Sequence, residues 1–166
     1  MGVVGLVVGA FGSLSAEAEV WTSGYHEIVE SDVYGEIWMY DHATADMFGG
    51  NVLQVGALDW SRFDMFGGTV VGLMVRYNSI VDIYGGTLDY LIVYSDENGL
   101  VNLHAYDVAY HPPAGGNGWM EGKYLSNGEH FAFDLVAPDT SHINIVPEPG
   151  TLLLLIAGGI WVRKKR

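Results

Sequence analysis

The chain has 166 residues, 49% of them hydrophobic and 16% charged, with a formal charge of −13. That length holds one domain, with or without tails, and the apolar content is too high for a disordered acidic chain. Only seven residues are Lys or Arg, four of them the last four, so binding of nucleic acid through phosphate neutralisation is excluded; with no Cys, disulfides, thiolate nucleophiles and Cys-ligated metal centres fall together.

Residues 1–18 read as a signal peptide. The apolar run from Val3 to Phe11 is too short to span a bilayer, and Ala16 and Ala18 supply the small-x-small pair that a signal peptidase accepts. No Lys or Arg precedes the run, so either the true start lies upstream or the segment is a buried strand of the body.

Residues 19–110 are organised by a repeat. Asp46-Met47-Phe48-Gly49-Gly50, Asp64-Met65-Phe66-Gly67-Gly68 and Asp82-Ile83-Tyr84-Gly85-Gly86 recur at a spacing of 18. Val101-Asn102-Leu103-His104 follows after 20 residues, with Asp96-Glu97-Asn98-Gly99 as the place of a two-residue insertion, and Asp32-Val33-Tyr34-Gly35 reads as a shortened upstream copy. A fixed period of this kind predicts a solenoid. Within it the apolar residues alternate as strands require. The predicted inward files are Ala45, Phe63, Val81 and Val101; Met47, Met65, Ile83 and Leu103; Val52, Val70, Leu88 and Val108; Val55, Leu73 and Leu91; and Ala57, Val75 and Val93.

The expected fold is all-β: a single-stranded β-helix with about 18 residues and three short strands per rung, each Gly-Gly doublet turning a corner. Either hand suits the period, and a stacked β-sandwich is the alternative architecture. Residues 111–146, where the period lapses, read as a β-rich C-terminal cap that keeps the last rung from pairing end to end, with Asn127-Gly128 as a hairpin turn.

Residues 147–166 begin with Pro147-Glu148-Pro149, continue through the uncharged stretch from Thr151 to Val162 and end in Arg163-Lys164-Lys165-Arg166. This is a stop-transfer order, with the cationic end on the cytoplasmic side of a short transmembrane helix. The twelve apolar residues reach only about 18 Å as a helix, so snorkelling basic side chains must cover part of the span.

Those three parts, in that order, resemble the PEP-CTERM sorting signal, which an exosortase recognises and cleaves in the inner membrane of exporting bacteria. The body is similar to the Gly-Gly repeat proteins that commonly carry such signals, in which a Val-Asn-hydrophobic-x-Gly-Gly unit recurs. The family's Asn is Asp at 46, 64 and 82 here, and only Asn102 keeps the amide. The resemblance implies an exosortase-type processing enzyme as partner, transient anchoring in the inner membrane, and delivery to the cell surface or the extracellular matrix. An uncleaved tail anchor is the alternative.

Two outward columns carry the candidate chemistry. Asp46, Asp64 and Asp82 stack one rung apart, where neighbouring charges about 5 Å apart repel by about 0.8 kcal/mol even in water. Either each carboxylate accepts backbone N–H groups at its corner, or the column is a weak calcium site. Phe48, Phe66, Tyr84 and His104 form an exposed ladder that either stabilises the coil by stacking or makes a glycan-contact strip for extracellular polysaccharide.

His26-Glu27 opens a metalloprotease motif, but Glu30 stands where its second His belongs. No nucleophile elbow, Walker loop or dinucleotide fingerprint occurs, and carboxylate pairs such as Asp41 and Asp59 arise by chance in so acidic a chain. The expectation is a non-catalytic structural or adhesive protein without cofactor or resident metal, secreted or on the cell surface. The alternatives are a glycan-binding module and a carbohydrate-active β-helix enzyme. Without residues 1–18 and the tail from Pro147, 18 acidic and three basic residues remain, a net charge near −15.

Overall fold

The structure, a computed structural model, describes residues 18–94, 98–113, 117–136 and 140–147. Apart from one 3-10 turn at 140–142, their regular structure is all strand. Short strands alternate with longer ones: β1 (Ala18–Trp21), β2 (Tyr25–Ile28), β3 (Val33–Met39), β4 (Thr44–Met47), β5 (Asn51–Ala57), β6 (Arg62–Met65), β7 (Thr69–Val75), β8 (Ile80–Ile83) and β9 (Thr87–Val93). Then come β10 (Leu100–His111), β11 (Gly118–Tyr124), β12 (His130–Val136) and β13 (Ile143–Val146).

Every strand of the coil pairs in parallel with its equivalent one rung away. Thr44 lies on Arg62 and Arg62 on Ile80; Asn51 lies on Thr69 and Thr69 on Thr87, so the 18-residue period of the sequence is the rung. Leu100 lies on Ile80, and the two extra residues of the insertion fall between rungs. The molecule is a β-solenoid of about five turns, and its parallel register excludes the sandwich.

Burial follows the alternation. The predicted inward files are closed to solvent from Ala45 to Val101, from Met47 to Leu103, from Val52 to Leu88, from Val55 to Leu91 and from Ala57 to Val93. Stacking like on like lets each rung bury the next rung's apolar face, which no rung does alone. The corner uses both glycines of a doublet. Gly68 has φ +83°, which an L side chain resists, and a Cβ on Gly67 would lie 2.7 Å from the Phe48 carbonyl oxygen of the rung below. The opposite corner is left-handed without glycine, at Asp41, Asp59 and Tyr77.

Three expectations need correcting. The second and third strands of each rung are one continuous strand, bent where two successive residues, Leu53 and Gln54 or Val71 and Gly72, both face away from the core and the pairing skips a residue. Asp32-Val33-Tyr34-Gly35 is not a copy of the Asp-Met-Phe-Gly-Gly unit: Val33 lies on Asn51, and the true equivalents of Asp46 and Met47 are Glu27 and Ile28. Val108 does not join the Leu88 file, because β10 continues without a corner, bulged where Asp107 has φ +52° and the register shifts between Tyr106 and Ala109, to pair antiparallel with β11, and it is Leu135 of β12 that lies on Leu91 in the neighbouring file.

The two ends differ. At the first rung Trp21 stacks on His26 with ring centroids 4.2 Å apart and meets Tyr34 edge-on, an aromatic plug beneath the core. At the other end β10, β11 and β12 form an antiparallel meander that joins the sheet of long strands to the sheet of short ones. β13 lies apart from that path and, among the described residues, pairs with β10 alone, in parallel.

Candidate functional site

The short strands β4, β6 and β8 and the first half of β10 present both outward columns on one face. Parallel pairing in register sets Asp46, Asp64, Asp82 and Asn102 side by side, with Glu27 below and Asn144 above. Among the described residues the acidic column is answered by side chains rather than by backbone N–H groups. Arg62 stands two residues before Asp64 and so faces outward with it. Its Nε lies 3.0 Å from Asp64 Oδ1, and its Nη2 reaches up one rung to Asp82 Oδ2 at 2.9 Å. His104 Nε2 lies 3.0 Å from the other Asp82 oxygen, and the Tyr25 hydroxyl lies within 2.9 Å of Asp46 and 3.0 Å of Glu27.

The Asp82 side chain is only 8% exposed, so the Arg62 and His104 contacts stand where its charge would otherwise meet a poor solvent. Burial raises the Asp64 carboxyl above the ordinary carboxylate range, with the Arg62 hydrogen bond and charge pulling the other way. Among the described residues no group of three or more His, Asp or Glu is arranged to hold a metal ion.

The aromatic column is a continuous stack. Phe48 and Phe66 have centroids 5.1 Å apart, Phe66 and Tyr84 4.7 Å, and Tyr84 and His104 4.0 Å, with interplanar angles of 9°, 7° and 19°. The rung repeat imposes this, because equal side chains on neighbouring parallel strands sit about 4.8 Å apart, close to a ring-stacking distance. The inner faces of the ladder are therefore spent on one another, and a sugar approaching it meets ring edges instead of the open faces on which sugars stack.

The remaining named residues are scattered. Asp41 and Asp59 occupy the left-handed corner on adjacent rungs, and Arg76, at that corner, lies over the rings of Tyr77 and Tyr94. It is therefore remote in register from Arg62. His26 faces inward within the plug, while Glu27 faces out. Ala18 opens β1, paired with Glu36, so the expected cleavage after it would remove the first residue of that strand. Pro147 is exposed and directly follows β13. Ala16, Glu148, Pro149, Arg163, Lys164, Lys165 and Arg166, with the apolar stretch from Thr151 to Val162, lie outside the described residues. Among the described residues no helix is long and apolar enough to cross a membrane.

Two features were not read from the sequence. One is the Arg62 clasp, whose signal was the i, i+2 spacing to Asp64 on a strand. The other is a cluster on the meander, where Glu121 lies between His111, at 2.9 Å, and His130, at 3.3 Å. Three different strands supply it, so no local motif announces it. Comparison with family models, curated proteins and solved structures finds nothing that matches this chain.

Proposed function

We propose that the protein is an exported, non-catalytic structural or adhesive component of the cell surface or extracellular matrix, whose C-terminus is a sorting signal processed by an exosortase-type enzyme. The observation that carries the reading is the order of the tail: Pro147-Glu148-Pro149, an uncharged apolar stretch, then four basic residues, joined directly to the end of a β-solenoid. The outward columns support a structural role for the body. Their rings, carboxylates and guanidinium are engaged with one another along the coil axis, which stiffens a rod more than it prepares a ligand site. The acidic surface keeps such a rod soluble outside the cell.

Sorting is tested by expressing the full chain in an exosortase-positive strain and in one lacking the enzyme. The positive strain yields a product shortened by the tail and released from the inner membrane, whereas the deletion strain retains the longer form there. Equal mass and location in the two strains would overturn the reading.

A further inference from the structure

We infer that the solenoid is built to continue from one molecule into the next, with β13 of one copy pairing in parallel with β2 of a second copy. In the sheet of short strands these are the two terminal strands, and each has one backbone edge without a partner among the described residues; the expected cap covers the long-strand edge, where β11 lies on β12, but not the edge of β13.

They match in register. Ile143 stands in the file that begins with His26, Asn144 in the file of Glu27, and Ile145 in the file of Ile28. Within the coil, outward residues hydrogen-bond to the rung below and inward residues accept from the rung above, as Phe66 N–H does on the Met47 carbonyl. By that alternation the free groups on β13 are those of Ile143 and Ile145, and those on β2 belong to Tyr25 and Glu27. A second copy set on β13 without any change of direction meets donors with acceptors.

Side chains agree with the backbone. Asn144 presents an amide where the next rung would place the Glu27 carboxylate, so the acidic column crosses the junction on a neutral donor instead of another charge. Ile145 ends a file whose members Ile28, Met47, Met65, Ile83 and Leu103 are all 0% exposed, yet it is itself 40% exposed. Ile143 and Ile145 also line a groove of about 690 Å³ at this mouth of the coil, on which the Trp21 and His26 plug of the next copy would sit.

The contact is heterologous, so it propagates into a filament and does not close into a dimer. The edges are only four residues long, and the Val29 N–H beside the β2 edge is already taken by the Asp32 carboxylate, so the association is weak and grows with concentration.

The absence of native Cys makes the test clean. In the full-length chain, Glu27→Cys and Asn144→Cys are introduced singly and together, both at exposed positions. Within one molecule these positions are five strand spacings apart, roughly 24 Å, far beyond disulfide reach. Mild oxidation of the double variant is expected to give a reducible ladder of dimers, trimers and longer species on a non-reducing gel, while the single variants stay monomeric. Adding Ile145→Asp to the double variant should abolish the ladder while leaving the circular dichroism spectrum unchanged. Absence of a ladder at any concentration, dimers from a single variant matching those of the double, or a ladder indifferent to Ile145→Asp would each overturn the inference. Because the gel reads neither cleavage nor location, the result is independent of the sorting experiment.

Discussion

Individual side chains in this coil are placed by the rung spacing, so substitutions have effects that follow from where the next rung lies. Gly68→Ala puts a Cβ at φ +83° and 2.6 Å from the Gly49 carbonyl oxygen, and should cost about 1–3 kcal/mol in a urea titration. Tyr124 is the opposite case. Its ring is buried, but its hydroxyl has no hydrogen-bond partner among the described residues. Tyr124→Phe removes that burden and should leave the melting temperature unchanged or raise it. At Asp64, burial raises the carboxyl pKa in the folded state, so the fold binds this proton more tightly than the unfolded chain does. Stability from this group is then complete below the ordinary Asp value and is lost as pH rises through the raised one. Asp64→Asn should therefore be neutral or stabilising at pH 7, with any advantage fading toward pH 4 in a series of thermal melts.

Among the strands, the two sides of the rung differ in what holds them. The inner side depends on packing: Leu73, fully buried between Val55 and Leu91, should cost about 2–5 kcal/mol when cut to Ala. The outer side of the short strands depends on the Arg62 clasp. Arg62→Gln leaves Asp64 and Asp82 on adjacent rungs without their guanidinium and should destabilise by about 1–3 kcal/mol at pH 7 in a urea titration. Much of this was legible in the sequence. A strict 18-residue period with alternating apolar positions states which residues stack, and every file from Ala45 to Val93 follows from it. The bend inside the long strand was not legible as a bend, because two outward residues in succession at Leu53 and Gln54 look the same whether a turn separates two strands or one strand kinks. Val108 was misplaced for a related reason. It keeps the period in sequence, yet no Gly-Gly doublet precedes it to turn the chain, and β10 continues as one twelve-residue strand with a bulge at Asp107-Val108. The first rung was obscured because Glu27-Ile28 lacks the Phe-Gly-Gly that marks later copies.

The molecule as a whole is a stack in which each rung touches mainly its neighbours, so its stability is close to a sum over rungs and interfaces. Deleting residues 62–79, one complete rung, joins Ser61 to Ile80 at the same place in the repeat and should give a folded, shorter coil with a lower melting temperature. Removing half that length throws every file out of register and should abolish the cooperative transition, which circular dichroism would record. The position of β13 bears on how such a rod carries load. Among the described residues it is held by a single neighbour through four residues and is the last strand. Tension transmitted from an envelope attachment would reach this short strip first. Its release from β10 would leave the longer coil below intact, so that, were the tail anchored as proposed, β13 would act as a mechanical fuse.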